Sequence, residues 1–234
     1  MDNKQIKEQV YRANMELFER HLVVYTWGNV SQVDRERGVF YIKPSGVPYE
    51  DLTPEMMVCV SLENGEALDG RMRPSSDAST HLALYRAFVE IGGITHTHST
   101  RATAWSQAGK PIPPLGTTHA DYFRGEVPVT RYLTNDEIAG DYEYATGTVI
   151  AECFEFMNPL HTPAVLVRGH GPFAWGKDAA DSVYHAVVLE EVATMAMHTF
   201  LINATVNMLP GAVQDKHFNR KHGPNAYYGQ DCGK

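Results

Sequence analysis

The feature that most limits the fold is a change of hydrophobic period near residue 92. Residues 77–90 read as a helix, with Ser75, Ser76 or Asp77 available as cap and Gly92-Gly93 as stop. ITHTH, residues 94–98, follows at once as a strand. The same alternation recurs along the chain. Residues 3–21 place Ile6, Val10, Met15, Leu17 and Phe18 at roughly helical spacing. VFYIK (39–43) and MVCVSL (57–62) read as short strands, 100–108 as a helix and VPVTRY (127–132) as a strand. Residues 142–157 read as a helix despite Gly147, and AVLVRGHG (164–171) as a strand ending in a turn. Asp178 caps a long helix to about Asn203, and a last helix covers 212–221. Interspersed helices and strands define an α/β class with a layered sheet.

Composition bounds the function. Twenty Lys+Arg stand against 28 Asp+Glu, a net charge of −8. This argues against a nucleic-acid binder, which needs a basic face, but not against an anionic substrate met by a few local cations. Cys59, Cys153 and Cys232 are few, far apart and outside any CxxC pattern, which points to a reducing cytoplasm. The charged start MDNKQIKEQV is not a signal peptide. No run approaches the roughly 18–20 apolar residues of a membrane span, and Glu190 and Glu191 interrupt the most apolar helix. No repeat or linker appears, so residues 1–234 are expected to form one domain.

The chain holds eleven histidines. His96 and His98 alternate along a strand, which puts both imidazoles on one face. His170 lies in a Gly-flanked turn at the end of another strand. Three His with an open position is the pattern of a catalytic zinc site. H-x-H also arises by chance in a His-rich chain, and the spacing does not settle the matter. Three further segments, TWGNVS (26–31), KPSG (43–46) and PSSD (74–77), combine turn glycines, hydroxyls or a cation in a way that suits phosphate. Each also reads as an ordinary turn or helix cap. No dinucleotide or Walker pattern is present, which argues against NAD- and ATP-dependent chemistry.

Together TWGNVS, VFYIKPSG, PSSDASTH, GGITHTHS, GTTHADYF, VRGHGPFAWG and the terminal KHG-x-x-AYYGQ resemble the epimerase group of the class II aldolase/epimerase family. The resemblance runs from residue 5 to about Gln230. It implies a three-layer α/β/α sandwich around a mainly antiparallel sheet, in a C4 homotetramer with active sites between subunits. It implies one divalent metal ion per subunit, zinc first among the choices, held by His96, His98 and His170 with Asp77 as a possible fourth ligand. The phosphate of a ketopentose phosphate would meet Gly28, Asn29, Lys43, Ser45, Gly46, Ser75 and Ser76. His217 and Arg220 would reach it from the neighbouring chain, although a solvated helix face explains that pair equally well.

The implied reaction interconverts L-ribulose 5-phosphate and D-xylulose 5-phosphate, which differ at C4. The ketone at C2 acidifies protons at C1 and C3 only. A retro-aldol break of C3–C4 and re-addition to the other aldehyde face avoids removing the C4 proton. By resemblance, Asp121 and Tyr228 transfer protons for the two C4 hydroxyl orientations. Their reference pKa values of about 3.9 and 10 must be shifted or assisted to serve near neutrality. A fuculose-phosphate-type aldolase of the same family usually carries Glu after PSS, where this chain has Asp77. A sugar-phosphate dehydratase is a further possibility. A non-catalytic domain like the adducin head would have lost the histidines.

Overall fold

The computed structural model describes residues 2–69, 72–224, 226 and 227. Helix α1 (Asn3–Glu19) starts at a capping box formed by Asp2 and Gln5, and buries Ile6, Val10, Ala13 and Leu17 along one face. Strands β1 (Asn29–Asp34), β2 (Val39–Ile42) and β3 (Val58–Ser61) follow, then helix α2 (Ala78–Ala87), strand β4 (Gly93–His96) and helix α3 (Thr100–Ala108). Short helices α4 (Thr117–Ala120) and α5 (Asn135–Ala139) precede helix α6 (Tyr142–Cys153). Strands β5 (Ala164–Leu166) and β6 (Pro172–Gly176) lead into helix α7 (Ala179–Ile202), and helix α8 (Gly211–His222) comes last.

The six strands form one sheet in the order β3-β2-β1-β4-β6-β5, and every neighbouring pair is antiparallel. Strand period divides the core between its two faces. Tyr41, Ala164, Leu166 and Ala174 join a cluster with α1 and α7 residues such as Val10, Leu17, Val183 and Leu189. Their sequence neighbours Phe40, Ile42, Val165, Phe173 and Trp175 join a second cluster with Leu82 and Tyr85 of α2 and Ile150 of α6.

The expected helices form as α1, α2, α3, α6, α7 and α8, with ends shifted by a few residues. The strands differ more. VPVTRY is not a strand: Val127 and Val129 make only isolated bridges to Ile112 and Leu166. β4 ends at His96, so His98 lies beyond it. β1 was hidden because NVSQVD is polar. Its burial is made possible by hydrogen bonds: Ser31 pairs with His81 and Tyr85, and the Gln32 side-chain carbonyl accepts from Ala179 N–H. β6 was hidden by its leading Pro172, which a strand tolerates at its first residue.

α7 has the length and apolarity of a membrane span. It packs instead on β4, β6, α1 and α3. Both oxygens of its buried Glu190 accept from the Arg101 and Ala102 N–H groups at 2.9 Å, satisfying donors that the first turn of α3 leaves free.

Candidate active site

The sheet register gathers the histidines. Asn29 of β1 faces His96 of β4, and His96 in turn faces Phe173 of β6. His170 lies in the tight turn joining β5 to β6, where Val167 N–H donates to Gly171 O at 2.9 Å. A Cβ on Gly171 would stand 2.7 Å from Thr97 O, so only glycine lets this turn approach the His96–His98 segment. His96 Nε2 and His98 Nε2 are 3.2 Å apart. One ligand atom from each of His96, His98 and His170 falls within 4.8 Å of the others.

This donor set fits a divalent cation. The Pro172 carbonyl, 2.9 Å from His96 Nδ1, can only accept, so Nδ1 carries the proton and Nε2 keeps its lone pair. Burial pushes the His98 imidazole below its ordinary value and that of His170 down to about 4. Both are therefore neutral near pH 7, which is the form that coordinates metal. His170 Nδ1 is buried and has no hydrogen-bond partner among the described residues.

Asp77 occupies the N-cap of α2 but makes no capping hydrogen bond. Its Oδ2 accepts from Asn29 Nδ2 at 2.7 Å. Burial raises the Asp77 carboxyl, but the imidazoles of His96 and His81 and the Asn29 hydrogen bond outweigh it and hold it below the usual range.

Asp77 and the three histidines line a cavity of about 480 Å³ together with Gly28, Asn29, Lys43, Ser45, Gly46, Ser75 and Ser76. The KPSG and PSSD segments meet through a Pro44–Pro74 bridge, with Ser75 N–H donating to Lys43 O at 2.9 Å. Gly28 has φ +75°, and a Cβ there would meet His96 O at 2.8 Å. Lys43 is only 1% exposed. Its ammonium donates to the Val47 and Pro44 carbonyls, at 2.8 and 3.4 Å, rather than to a carboxylate. Burial lowers it to about 8. A buried cation held by neutral groups beside serines and glycine turns suits an anion. A larger groove of about 770 Å³ lies along Tyr11, Arg12, Glu16 and Glu191. It holds none of the three histidines, so size does not mark the site.

Asp121, His217 and Arg220 do not line the histidine cavity. They form a second cluster between the segment after α4 and helix α8. Arg220 Nε and Nη2 donate to Asp121 Oδ1 and Oδ2 at 2.9 and 2.6 Å, and His217 Nδ1 lies 3.0 Å from Oδ1. Burial works against the Asp121 carboxylate, yet Arg220 and His217 outweigh it and keep its carboxyl below the ordinary range. Tyr228 lies outside the described residues. Sequence reasoning missed Trp27 and Thr26 as cavity residues, although TWGNVS contains both. It also missed His81, whose Nδ1 lies 2.7 Å from Ser31 Oγ beneath the site.

Residues 8–197 match the family described as Class II Aldolase and Adducin N-terminal domain. The chain belongs to this family. It is 56% identical, over 97% of its length and 99% of the relative's, to L-ribulose-5-phosphate 4-epimerase UlaF of Salmonella paratyphi B. The Salmonella typhi protein of the same name is also 56% identical over 97% of this chain and 99% of that one. Among solved structures, an L-fuculose 1-phosphate aldolase superposes with TM-score 0.77 at 24% identity, covering 92% of this chain and 95% of that one. The L-fuculose-1-phosphate aldolase from Thermus thermophilus gives TM-score 0.69 at 27% identity, over 87% of this chain and 98% of that one.

Proposed function

We propose that this chain is a metal-dependent epimerase that interconverts L-ribulose 5-phosphate and D-xylulose 5-phosphate. One observation carries the reading: the three-imidazole cluster and the Lys43 cradle share a single cavity. That cavity joins a cation site to an anion site, as a phosphorylated ketose with a metal-binding end requires. The relatives named above support the choice of substrate.

Lys43, Ser45, Gly46, Ser75 and Ser76 bind the phosphate. The C3–C4 bond breaks, its electron pair passes to the ketone-derived fragment, and the C4 hydroxyl proton passes to a base. The fragments are the enediolate of dihydroxyacetone and glycolaldehyde phosphate. A divalent ion, zinc by preference, held by His96, His98 and His170 would supply positive charge where the enediolate gathers negative charge. Asp77, which lines the same cavity, would offer a fourth, oxygen ligand. After the aldehyde turns, re-addition to its other face takes the proton back and gives the epimer.

Asp121 and Tyr228 are the proton carriers in this reading, one for each C4 hydroxyl orientation. Arg220 and His217 keep Asp121 ionised and below the ordinary carboxylate range, away from neutrality, so its proton transfer must be assisted by a neighbouring group. Its cluster lies apart from the cavity within one chain, which favours a site completed by a neighbour in a C4 tetramer. We read the chain as one domain, a three-layer α/β/α sandwich, acting in the cytoplasm.

Incubation of the protein with L-ribulose 5-phosphate and a divalent metal tests the reading. D-Xylulose 5-phosphate is expected. Accumulation of free dihydroxyacetone and glycolaldehyde phosphate without epimer would instead assign an aldolase.

A further inference from the structure

The cavity is polar except at one wall. Among the described residues its lining includes one large apolar side chain, Trp27. The indole is 52% exposed, and its ring centroid lies 6.0 Å from that of His98 at a tilt of 57°. Its backbone is fixed from below. The hydroxyl of buried Tyr49 lies 3.0 Å from Trp27 O and 3.1 Å from Gly28 O, and Trp27 N–H donates to Val24 O at 3.0 Å. The Tyr49 ring is stacked on Phe18 at 5.7 Å. Trp27 thus presents a half-exposed aromatic surface, on a fixed backbone, to an otherwise polar cavity.

We infer that Trp27 is a specificity-determining residue that retains the aldehyde fragment between bond cleavage and re-addition. The inference rests on the epimerase reading. Once C3–C4 breaks, glycolaldehyde phosphate is tied by its phosphate and, at the other end, by only one proton carrier at a time. Its other end must stay in place and must also turn over. A hydrogen-bond donor at that end would favour one aldehyde face. A flat indole makes equal contact with either, so it confines the fragment without choosing a face. Trp27 stands beside His98, at the imidazole end of the cavity, where the C4 aldehyde would lie next to an enediolate held by those imidazoles' ion.

The test compares the unaltered protein with W27A and W27F, measuring free glycolaldehyde phosphate and dihydroxyacetone against epimer formed. W27A should raise the ratio of free fragment to epimer by about tenfold, the loss of roughly one aromatic contact. W27F should restore most of the retention. W27A should also bind glycolaldehyde phosphate more weakly while keeping its metal content. An unchanged ratio in W27A overturns the inference. So does a W27A protein whose assembly falls apart in sedimentation, since the indole then serves a subunit contact. If the unaltered protein forms no epimer, the epimerase reading fails and this inference fails with it.

Discussion

The Lys43 ammonium stands 4.9 Å from the centroid of the Tyr49 ring, and both side chains are buried. An aromatic face and two carbonyls stabilise the cation only partly against burial, which is why its pKa falls to about 8. The charge is present below that value and lost as pH rises through it. Binding of sugar phosphate or inorganic phosphate should therefore weaken from about pH 8 upward, measured by titration calorimetry. The unfolded chain holds this proton up to about pH 10.4. The fold should accordingly gain stability across that interval. K43M should weaken phosphate binding by about 10–100-fold, the worth of one charge-assisted hydrogen bond.

Metal binding should follow the imidazole set. Protein purified without chelator should carry about one divalent ion per chain, read by elemental analysis. H96N should lose most of it and should lower affinity by more than the roughly 10–100-fold that a supporting partner costs. Full turnover by metal-free protein would reject the mechanism.

Asp121 should couple acid stability to the docking of α8. Its folded-state pKa lies below the unfolded value, so its contribution is present above about pH 4. That contribution is lost as pH falls further through the lowered value. D121N should be less stable than the unaltered protein near neutrality, with the gap in urea midpoint closing as pH falls through the lowered Asp121 value. D121N and Y228F should also impair epimerisation more than they perturb folding.

Glu190 should matter to α3 more than a surface carboxylate would. E190A leaves the Arg101 and Ala102 N–H groups without their partner. A cost of about 1–3 kcal/mol is expected in chemical denaturation. E190Q keeps one acceptor oxygen and should recover part of it.

How much of this could be read from the chain depends on the element. α1 was visible from its regular apolar spacing, and α7 from its Asp178 cap and long apolar run. β1 was not, because Ser31 and Gln32 are buried by partners far away in sequence, from Gln9 to Ala179. The cavity set was legible as separate motifs: His96, His98, His170, Lys43 and the Gly/Ser turns. Their convergence was not, since it depends on the pairing of β1, β4 and β6. His98 shows the difference most plainly. It lies beyond the strand that was to carry it, yet its Nε2 still meets that of His96. Asp77 was open between cap and ligand; its side chain makes no capping hydrogen bond and is held by Asn29 instead.

The register that sets Asn29 against His96 and His96 against Phe173 also fixes when the site can exist. During synthesis His96 and His98 emerge long before His170. Until β6 leaves the ribosome and pairs with β4, the first two histidines have no third partner to close a chelate. In the metal-dependent reading, capture of the ion would be a late event in the life of the chain, and no N-terminal fragment ending before Pro172 should retain it.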